Sequence, residues 1–197
     1  MNDYQKLPDE ELARRSLEDR DVFYYLIKRY EPKLLRYIKR LTHVTREEAE
    51  DLLQEIFIKV YRHLNGFDQR LKFSSWIYRI AHNEVINFTK KRRAGIVLFH
   101  PDEEDGGAAS LENMAGEDDV HGNYVFMESR EQVRQALMEL PLKYREVLVL
   151  KFFENMSYRE MSDVLRKPEG TVATLVNRAK KKFAKIADKY QLERILE

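Results

Sequence analysis

An acidic, glycine-rich segment near the middle of the chain confines each half to a small domain of its own. Residues 100–122 hold four of the seven glycines of the 197-residue chain and few large apolar side chains. Such a segment cannot bury enough surface to offset the entropy that ordering would cost. We therefore predict a flexible acidic linker over 96–127, between an N-terminal domain at 1–95 and a C-terminal domain at 128–197.

Apolar residues on both sides of the linker recur at spacings of three and four, which is typical of amphipathic helices. The longest strand candidate is the short run at 96–99. We predict an all-α fold of two small helical domains, with Pro32 kinking or dividing the second helix and Ser74 or Ser75 capping the fourth. The predicted helices are 9–16, 19–42, 46–64, 74–93, 128–139, 142–154, 158–165 and 169–190.

Charge is distributed unevenly although the whole chain carries a net charge of only +1. Residues 70–93 carry +6 and 140–197 carry +5, whereas 1–69 carry −1 and 94–139 carry −9. Clustered positive charge indicates phosphate binding more directly than the total does. The sequence therefore indicates two basic, nucleic-acid-facing blocks separated by an acidic one.

Other classes of protein are disfavoured by what the sequence lacks. With no cysteine, no apolar run near 18 residues and no signal-peptide pattern, we expect a cytoplasmic protein without membrane insertion. The five histidines, at 43, 63, 82, 100 and 121, are scattered, so we expect solvated histidines and no metal, cofactor or catalytic residues. A metal-dependent nuclease is the enzymatic alternative.

The helix predicted at 46–64 has two different faces at 100° per residue. Its core face consists of Ala49, Leu52, Leu53, Ile56, Val60 and Leu64. Its opposite face, which we call the docking face, consists of Asp51, Gln54, Glu55 and Ile58. An isoleucine within an acidic face fits a basic partner with an apolar pocket. This helix alone is better explained by a solvated face with one stray apolar residue, which is common.

The helix predicted at 74–93 also has two sides. Ile77, Ile80, Ala81 and Phe88 share one side, with Glu84 at its rim. The other side, the strand-reading face, carries Trp76, Arg79, Asn83, Asn87 and Lys90. Aromatic rings stack on unpaired bases, amides read base edges and cations neutralise phosphates, so this mixture suits unpaired nucleic acid. A buried Trp76 among solvated charges is the structural alternative.

Residues 156–183 have the layout of a helix-turn-helix. Ser157 and Glu160 form a capping box for a short helix, and Arg166 to Pro168 break the chain before a longer one. Val172, Leu175, Val176, Ala179, Phe183 and Ile186 line the inner face of the longer helix. The outer face, the groove face, carries Thr171, Thr174, Asn177, Arg178 and Lys181. A polar, basic second helix is typical of major-groove binding, although a plain three-helix unit shares the apolar pattern.

These motifs resemble those of a known family. The segment from Glu50 to Asn87 resembles conserved region two of bacterial RNA polymerase sigma factors, and residues 140–183 resemble region four. Two regions joined only by a linker are similar to the extracytoplasmic-function, or group IV, sigma factors. The resemblance implies promoter-specific initiation of transcription by core polymerase, with contacts to the β′ clamp helices and the β flap, and with an anti-sigma factor as a further partner.

The resemblance also implies roles for the three faces. The docking face would bind the clamp helices. The segment from Phe67 to Asn83 would recognise and melt the −10 element, with Phe73 among the −10 contacts. Asn83 and the loop before Trp76 would lie near a base flipped from the non-template strand. The helix after Pro168 would read the −35 element, and the linker would pass near the active-centre cleft and the RNA exit path.

Two positions depart from the family pattern. Asn87 stands where the family often has aspartate, and Ala173-Thr174-Leu175 stand where it often has a basic residue, serine and arginine. We therefore expect an unusual −35 sequence. A stand-alone helix-turn-helix regulator is the main alternative function, but it leaves the docking and strand-reading faces without a role.

Overall fold

The computed structural model describes residues 4–95, 123–190 and 192. This part of the chain contains helices and no strands, which confirms the all-α prediction. The N-terminal half consists of α1 (Asp9–Arg15), α2 (Phe23–Leu41), α3 (Arg46–His63) and α4 (Phe73–Arg93). The C-terminal half consists of α5 (Asn123–Glu139), α6 (Leu142–Leu148), α7 (Tyr158–Leu165) and α8 (Glu169–Lys189).

Several helix boundaries differ from the predictions. Helix α2 runs without interruption through Pro32, because this proline lies on the exposed side, where water can bond the carbonyl left without a donor. Helix α5 starts at Asn123, five residues before its predicted start and within the predicted linker. The rest of the linker, and the strand candidate at 96–99, lie outside the described residues.

The sixth predicted helix changes its hydrogen bonding before it ends. Helix α6 continues as a π-helical turn over Val149–Phe153, and Asn155 then adopts a φ of 53°. Asparagine tolerates this left-handed conformation better than most residues. The turn places Glu154 directly after it, with its side chain against the N-terminal half.

The core of the N-terminal half lies between α2, α3 and α4. Tyr30, Leu34 and Tyr37 of α2 are almost completely buried, as are Ile56 of α3 and Ile77 of α4. In the C-terminal half α6 and α7 pack against α8, and the buried side chains of both halves belong to one apolar cluster. In the described part of the chain, no helix is long and apolar enough to cross a membrane.

Candidate nucleic-acid and polymerase interfaces

The docking face on α3 is positioned by a well-capped, amphipathic helix. Thr45 and Glu48 form a capping box, with the Glu48 N–H donating to Thr45 Oγ1 at 3.2 Å. All six predicted core residues of this helix are buried. The four residues of the docking face are all exposed, and Ile58 keeps 50% of its accessible surface. The two-sided character of α3 is therefore confirmed, and the docking role stays a prediction.

A second apolar side chain extends the docking face. Tyr61 lies one turn after Ile58, is 39% exposed and packs its ring against Phe23 with centroids 5.1 Å apart. The sequence reasoning missed it, although three residues after Ile58 is a position on the same side of a helix. Its fixed ring enlarges the apolar part of a mainly acidic surface.

Helix α4 begins in a way that the sequence did not predict. It starts at Phe73, so Ser74 and Ser75 lie inside the first turn and cap nothing. The backbone N–H of Phe73 donates instead to the carboxylate of Glu10, at 2.9 Å. A carboxylate from α1 therefore takes the place of a local cap and fixes where α4 starts.

Removing this distant cap is expected to destabilise the N-terminal half modestly. We expect Glu10→Ala to lower the free energy of unfolding by about 1 kcal/mol, which is typical for loss of a helix cap. Glu10→Gln is the matched control, because its amide oxygen can still accept the bond. Urea unfolding followed by circular dichroism measures both, and equal losses for the two variants would contradict the assignment.

The aromatic part of the predicted strand-reading site is buried. Phe73 and Trp76 retain 0% and 6% of their accessible surface, and both pack with Phe67 of the preceding loop. The ring centroids of this trio lie 5.2–5.5 Å apart. In this structure the rings therefore hold the loop against α4, as in the structural alternative for Trp76, and base contact by Phe73 or Trp76 stays a prediction.

The polar part of the same face is accessible. Asn83, Asn87 and Lys90 are exposed, and Arg79 is partly exposed. Their spacing of three and four residues brings them onto one side of α4. Two amides between two cations can read base edges while the cations hold phosphates. The core side of α4 is closed at its rim by an ion pair between Glu84 and Lys59.

The helix-turn-helix has the predicted capping and turn. Ser157 and Glu160 form the capping box, and Arg166 ends α7 with a left-handed φ of 52°. Pro168 then precedes α8, where a proline costs no hydrogen bond. On the inner side of α8, Val172, Val176, Ala179 and Phe183 are buried, and Leu175 and Ile186 are partly buried.

All five residues of the groove face are exposed. The hydroxyl of Thr174 donates to the carbonyl of Gly170 at 2.9 Å, so its oxygen faces outward as an acceptor. The amide of Asn177 can both donate and accept, whereas Arg178 and Lys181 offer only donors and positive charge. The first turns of α8 are thus suited to base edges and the following turn to phosphates.

One histidine that was predicted to be solvated, His82, is mostly buried, with 12% of its side chain exposed. His82 of α4 contacts the C-terminal half, where its Nε2 lies 3.9 Å from a Glu146 oxygen and its Nδ1 lies 3.4 Å from the Tyr37 hydroxyl. Burial, with a smaller effect from the charge of Lys167, lowers the pKa of His82 to about 4. Burial raises the pKa of Glu146 to about 7. Among the described residues, no group of histidine and carboxylate side chains could hold a metal.

Family models match both halves of the chain. The model for sigma-70 region 2 matches residues 26–95, and the model for sigma-70 region 4 matches residues 130–183. The first match contains the docking face and α4, and the second contains the helix-turn-helix. A stand-alone helix-turn-helix regulator would not account for the first match, so that alternative is not favoured.

Solved structures share this fold. CnrH, in complex with the cytosolic domain of CnrY, has a TM-score of 0.68 and 21% identity, covering 92% of this chain and 97% of that chain. The sigma factor RpoE of Bartonella quintana, in complex with the anti-sigma factor NepR, has a TM-score of 0.65 and 20% identity, covering 87% and 98%.

Relatives match along most of the chain. The ECF RNA polymerase sigma factor SigW of Bacillus subtilis is 33% identical over 175 residues, which cover 85% of this chain and 89% of SigW. The RNA polymerase sigma-H factor of Pseudomonas aeruginosa is 33% identical over 184 residues, covering 90% and 92%. The ECF sigma-E factor of Escherichia coli is 30% identical over 182 residues, covering 89% and 92%. The chain therefore belongs to the extracytoplasmic-function family of bacterial RNA polymerase sigma factors.

Proposed function

We propose that this chain binds core RNA polymerase and directs it to promoters, recognising −10 and −35 elements and aiding promoter melting. The observation that carries the proposal is the presence, on one chain, of three exposed faces with different chemistry. One is acidic with apolar residues at its centre, one combines amides with cations, and one is the outer side of a helix-turn-helix. A polymerase surface, an unpaired strand and a duplex are the partners that these faces fit.

The docking face supports binding to the clamp helices of β′. Asp51 and Glu55 flank Ile58, and Tyr61 adds a second apolar contact. An exposed apolar group surrounded by carboxylates favours a basic partner that has a pocket for it. The β flap and an anti-sigma factor remain proposed partners without an assigned surface.

The strand-reading face supports recognition of the −10 element after unpairing. Asn83 and Asn87 can reach base edges, and Arg79 and Lys90 can hold the displaced backbone. The buried aromatic trio supports this role by fixing the loop before α4. Because paired bases hide their Watson–Crick edges, such a face binds an opened strand better than a duplex.

The groove face supports recognition of the −35 element. We expect Arg178→Ala to weaken promoter binding at every −35 sequence and to reduce the salt dependence of binding by about one unit of slope. Lys143→Ala is a charge-matched control, because Lys143 is exposed on α6, outside the groove face. Binding measured by anisotropy over a series of salt concentrations tests this, and an unchanged slope would contradict a phosphate contact by Arg178.

Thr174 and Asn177 are expected to act differently. Their substitution by alanine should change which −35 bases are preferred, by about 1–3 kcal/mol for each lost base contact. A library of −35 sequences bound by wild type and by each variant measures this. Equal weakening at all sequences would mean that these two side chains contact only the backbone.

The family membership also supports a non-enzymatic, cytoplasmic role. Nucleotide addition belongs to the polymerase, and this chain supplies binding and positioning without a cofactor. The acidic linker is proposed to pass near the active-centre cleft.

Gel filtration with purified core polymerase tests the proposal. We expect the chain to elute with the core enzyme as a stable complex. Separate elution at micromolar concentration would contradict the proposed function.

A further inference from the structure

The first turn of α4 is held by a residue from outside the helix. Phe73 is the first residue of α4, and Lys72 before it forms no side-chain cap. The carboxylate of Glu10 in α1 accepts from the Phe73 N–H, a donor that the helix itself leaves unpaired. Helix α1 precedes residues 26–95, which match the region 2 model. The cap therefore comes from a segment that the family match does not cover.

Helix α1 also supports the side chain of Phe73. Asp9, next to Glu10, accepts from the hydroxyl of Tyr30. The ring of Tyr30 meets that of Phe73 edge to face, with centroids 5.6 Å apart. Phe73 in turn packs against both Phe67 and Trp76. Phe73 is thus the central ring of this cluster, and a shift of its backbone would separate the cluster.

A buried hydroxyl in the same turn lacks a partner. Ser75 is 2% exposed, and its Oγ makes no hydrogen bond to any of the described residues. An unpaired buried hydroxyl costs free energy, and a helix start with Ser75 as its cap would recover that cost. Serine is preferred at this position, where its oxygen would accept from the N–H of Ile77 or Tyr78. The sequence pattern likewise predicts a cap at Ser74 or Ser75.

Two starts of α4 are therefore available. In the closed start, Glu10 caps the helix at Phe73 and the hydroxyl of Ser75 is unpaired. In the open start, Ser75 would cap the helix, and Phe73 and Ser74 would leave it and take the Phe73 ring out of the cluster. Because Phe73 is 0% exposed, its burial makes the closed start the major state of the free chain.

We propose that Glu10 and Ser75 are positioning residues for −10 recognition, which set the balance between the closed and open starts of α4. The open start uncovers Trp76 on the side of α4 that carries Asn83, where an unpaired base can stack. The inference rests on the proposed function for this consequence. An opened strand would bind the open start more tightly and so shift the equilibrium toward it.

Hydrogen exchange of single backbone amides, followed by NMR in the full chain, measures the two starts. In the closed start the Phe73 N–H bonds Glu10, and the Trp76 N–H bonds the carbonyl of Lys72 at 3.2 Å. Both bonds are lost in the open start. We expect Glu10→Ala to speed exchange of both amides by about fivefold, the size of a typical cap effect. Glu10→Gln is the control with a smaller increase, because its amide oxygen still accepts.

Ser75→Ala should act in the opposite direction. It removes both the cap of the open start and the unpaired hydroxyl of the closed start, so exchange of the Phe73 and Trp76 amides should slow by at least about tenfold. Ser74→Ala is the matched control, because it adds the same helix propensity in the same turn. It should slow exchange by about threefold or less.

Binding of an unpaired strand connects the two starts to −10 recognition. The probe is a non-template-strand oligonucleotide that carries the −10 element found by transcript mapping, bound to the complex of the full chain with core polymerase. Apparent affinity scales with the fraction of chains in the binding-competent state. Glu10→Ala should therefore tighten binding by up to about fivefold, and Ser75→Ala should weaken it by about tenfold. A merely structural role for Glu10 predicts weaker binding instead.

Three results would overturn the inference. They are unchanged amide exchange in Glu10→Ala, equal slowing of exchange by Ser75→Ala and Ser74→Ala, and strand binding by Glu10→Ala that is no tighter than that of wild type. Failure of the proposed function is distinguishable. The wild-type chain would then form no complex with core polymerase, or the complex would not bind the oligonucleotide, while amide exchange still responded to both substitutions.

Discussion

The double substitution Asp51→Arg and Ile58→Glu is expected to abolish the stable complex with core RNA polymerase. It reverses a charge and places a carboxylate where an apolar group should enter the partner. Both side chains are exposed, and Ile58 is 50% exposed, so neither belongs to the core face of α3. We expect at least a hundredfold loss of affinity, because central apolar contacts of an interface typically cost 2 kcal/mol or more each when disrupted.

The measurement is co-elution with core polymerase in gel filtration. His63→Arg is the control, since it adds similar charge at an exposed position about 120° around the same helix. Circular dichroism should show an intact helical fold in both variants, because exposed substitutions usually change stability by about 0.5 kcal/mol or less. Wild-type binding by the double variant would show that the docking face lies elsewhere.

Asn83→Ala is expected to impair promoter opening while leaving core binding and −35 recognition intact. Asn83 is exposed at the centre of the amide and cation surface of α4, and its amide can satisfy a base edge only after the base is unpaired. Loss of such a contact should slow opening by about tenfold or more and relax selectivity at one −10 position.

Permanganate footprinting of unpaired thymines measures this defect. A template with a pre-melted −10 region should restore much of the activity, because the cost of unpairing has already been met. Trp76→Ala is a poorer probe, since the ring is buried and its loss would disturb packing around Phe67 and Phe73. Wild-type opening of a duplex promoter by Asn83→Ala, with the same base preference, would mean that α4 does not read the strand.

Local sequence patterns were enough to predict the faces of single helices. The core face of α3 follows from helical spacing alone, and the capping box at Ser157 and Glu160 follows from a local motif. The exposure of Ile58 and Asn83 could be predicted for the same reason. Ile58 lies opposite the apolar face of α3, and Asn83 lies beside the apolar side of α4.

Contacts between distant segments could not be predicted in this way. Helical spacing places Trp76 and Asn83 on the same side of α4. It could not show that the ring of Phe67 packs against the indole ring of Trp76. The cap of α4 comes from Glu10, 63 residues before Phe73, so no local motif marks it. Helical spacing assigns His82 to neither face of α4, because Glu146, which it contacts, lies in the other half of the chain.

The most direct test of the account is to map the 5′ ends of transcripts made from genomic DNA by core polymerase with and without this chain. We predict a set of new start sites that appears only with the chain, each preceded by the same pair of sequence elements near −10 and −35. Start sites that are identical in both reactions, or new ones without a shared pair of elements, would contradict it.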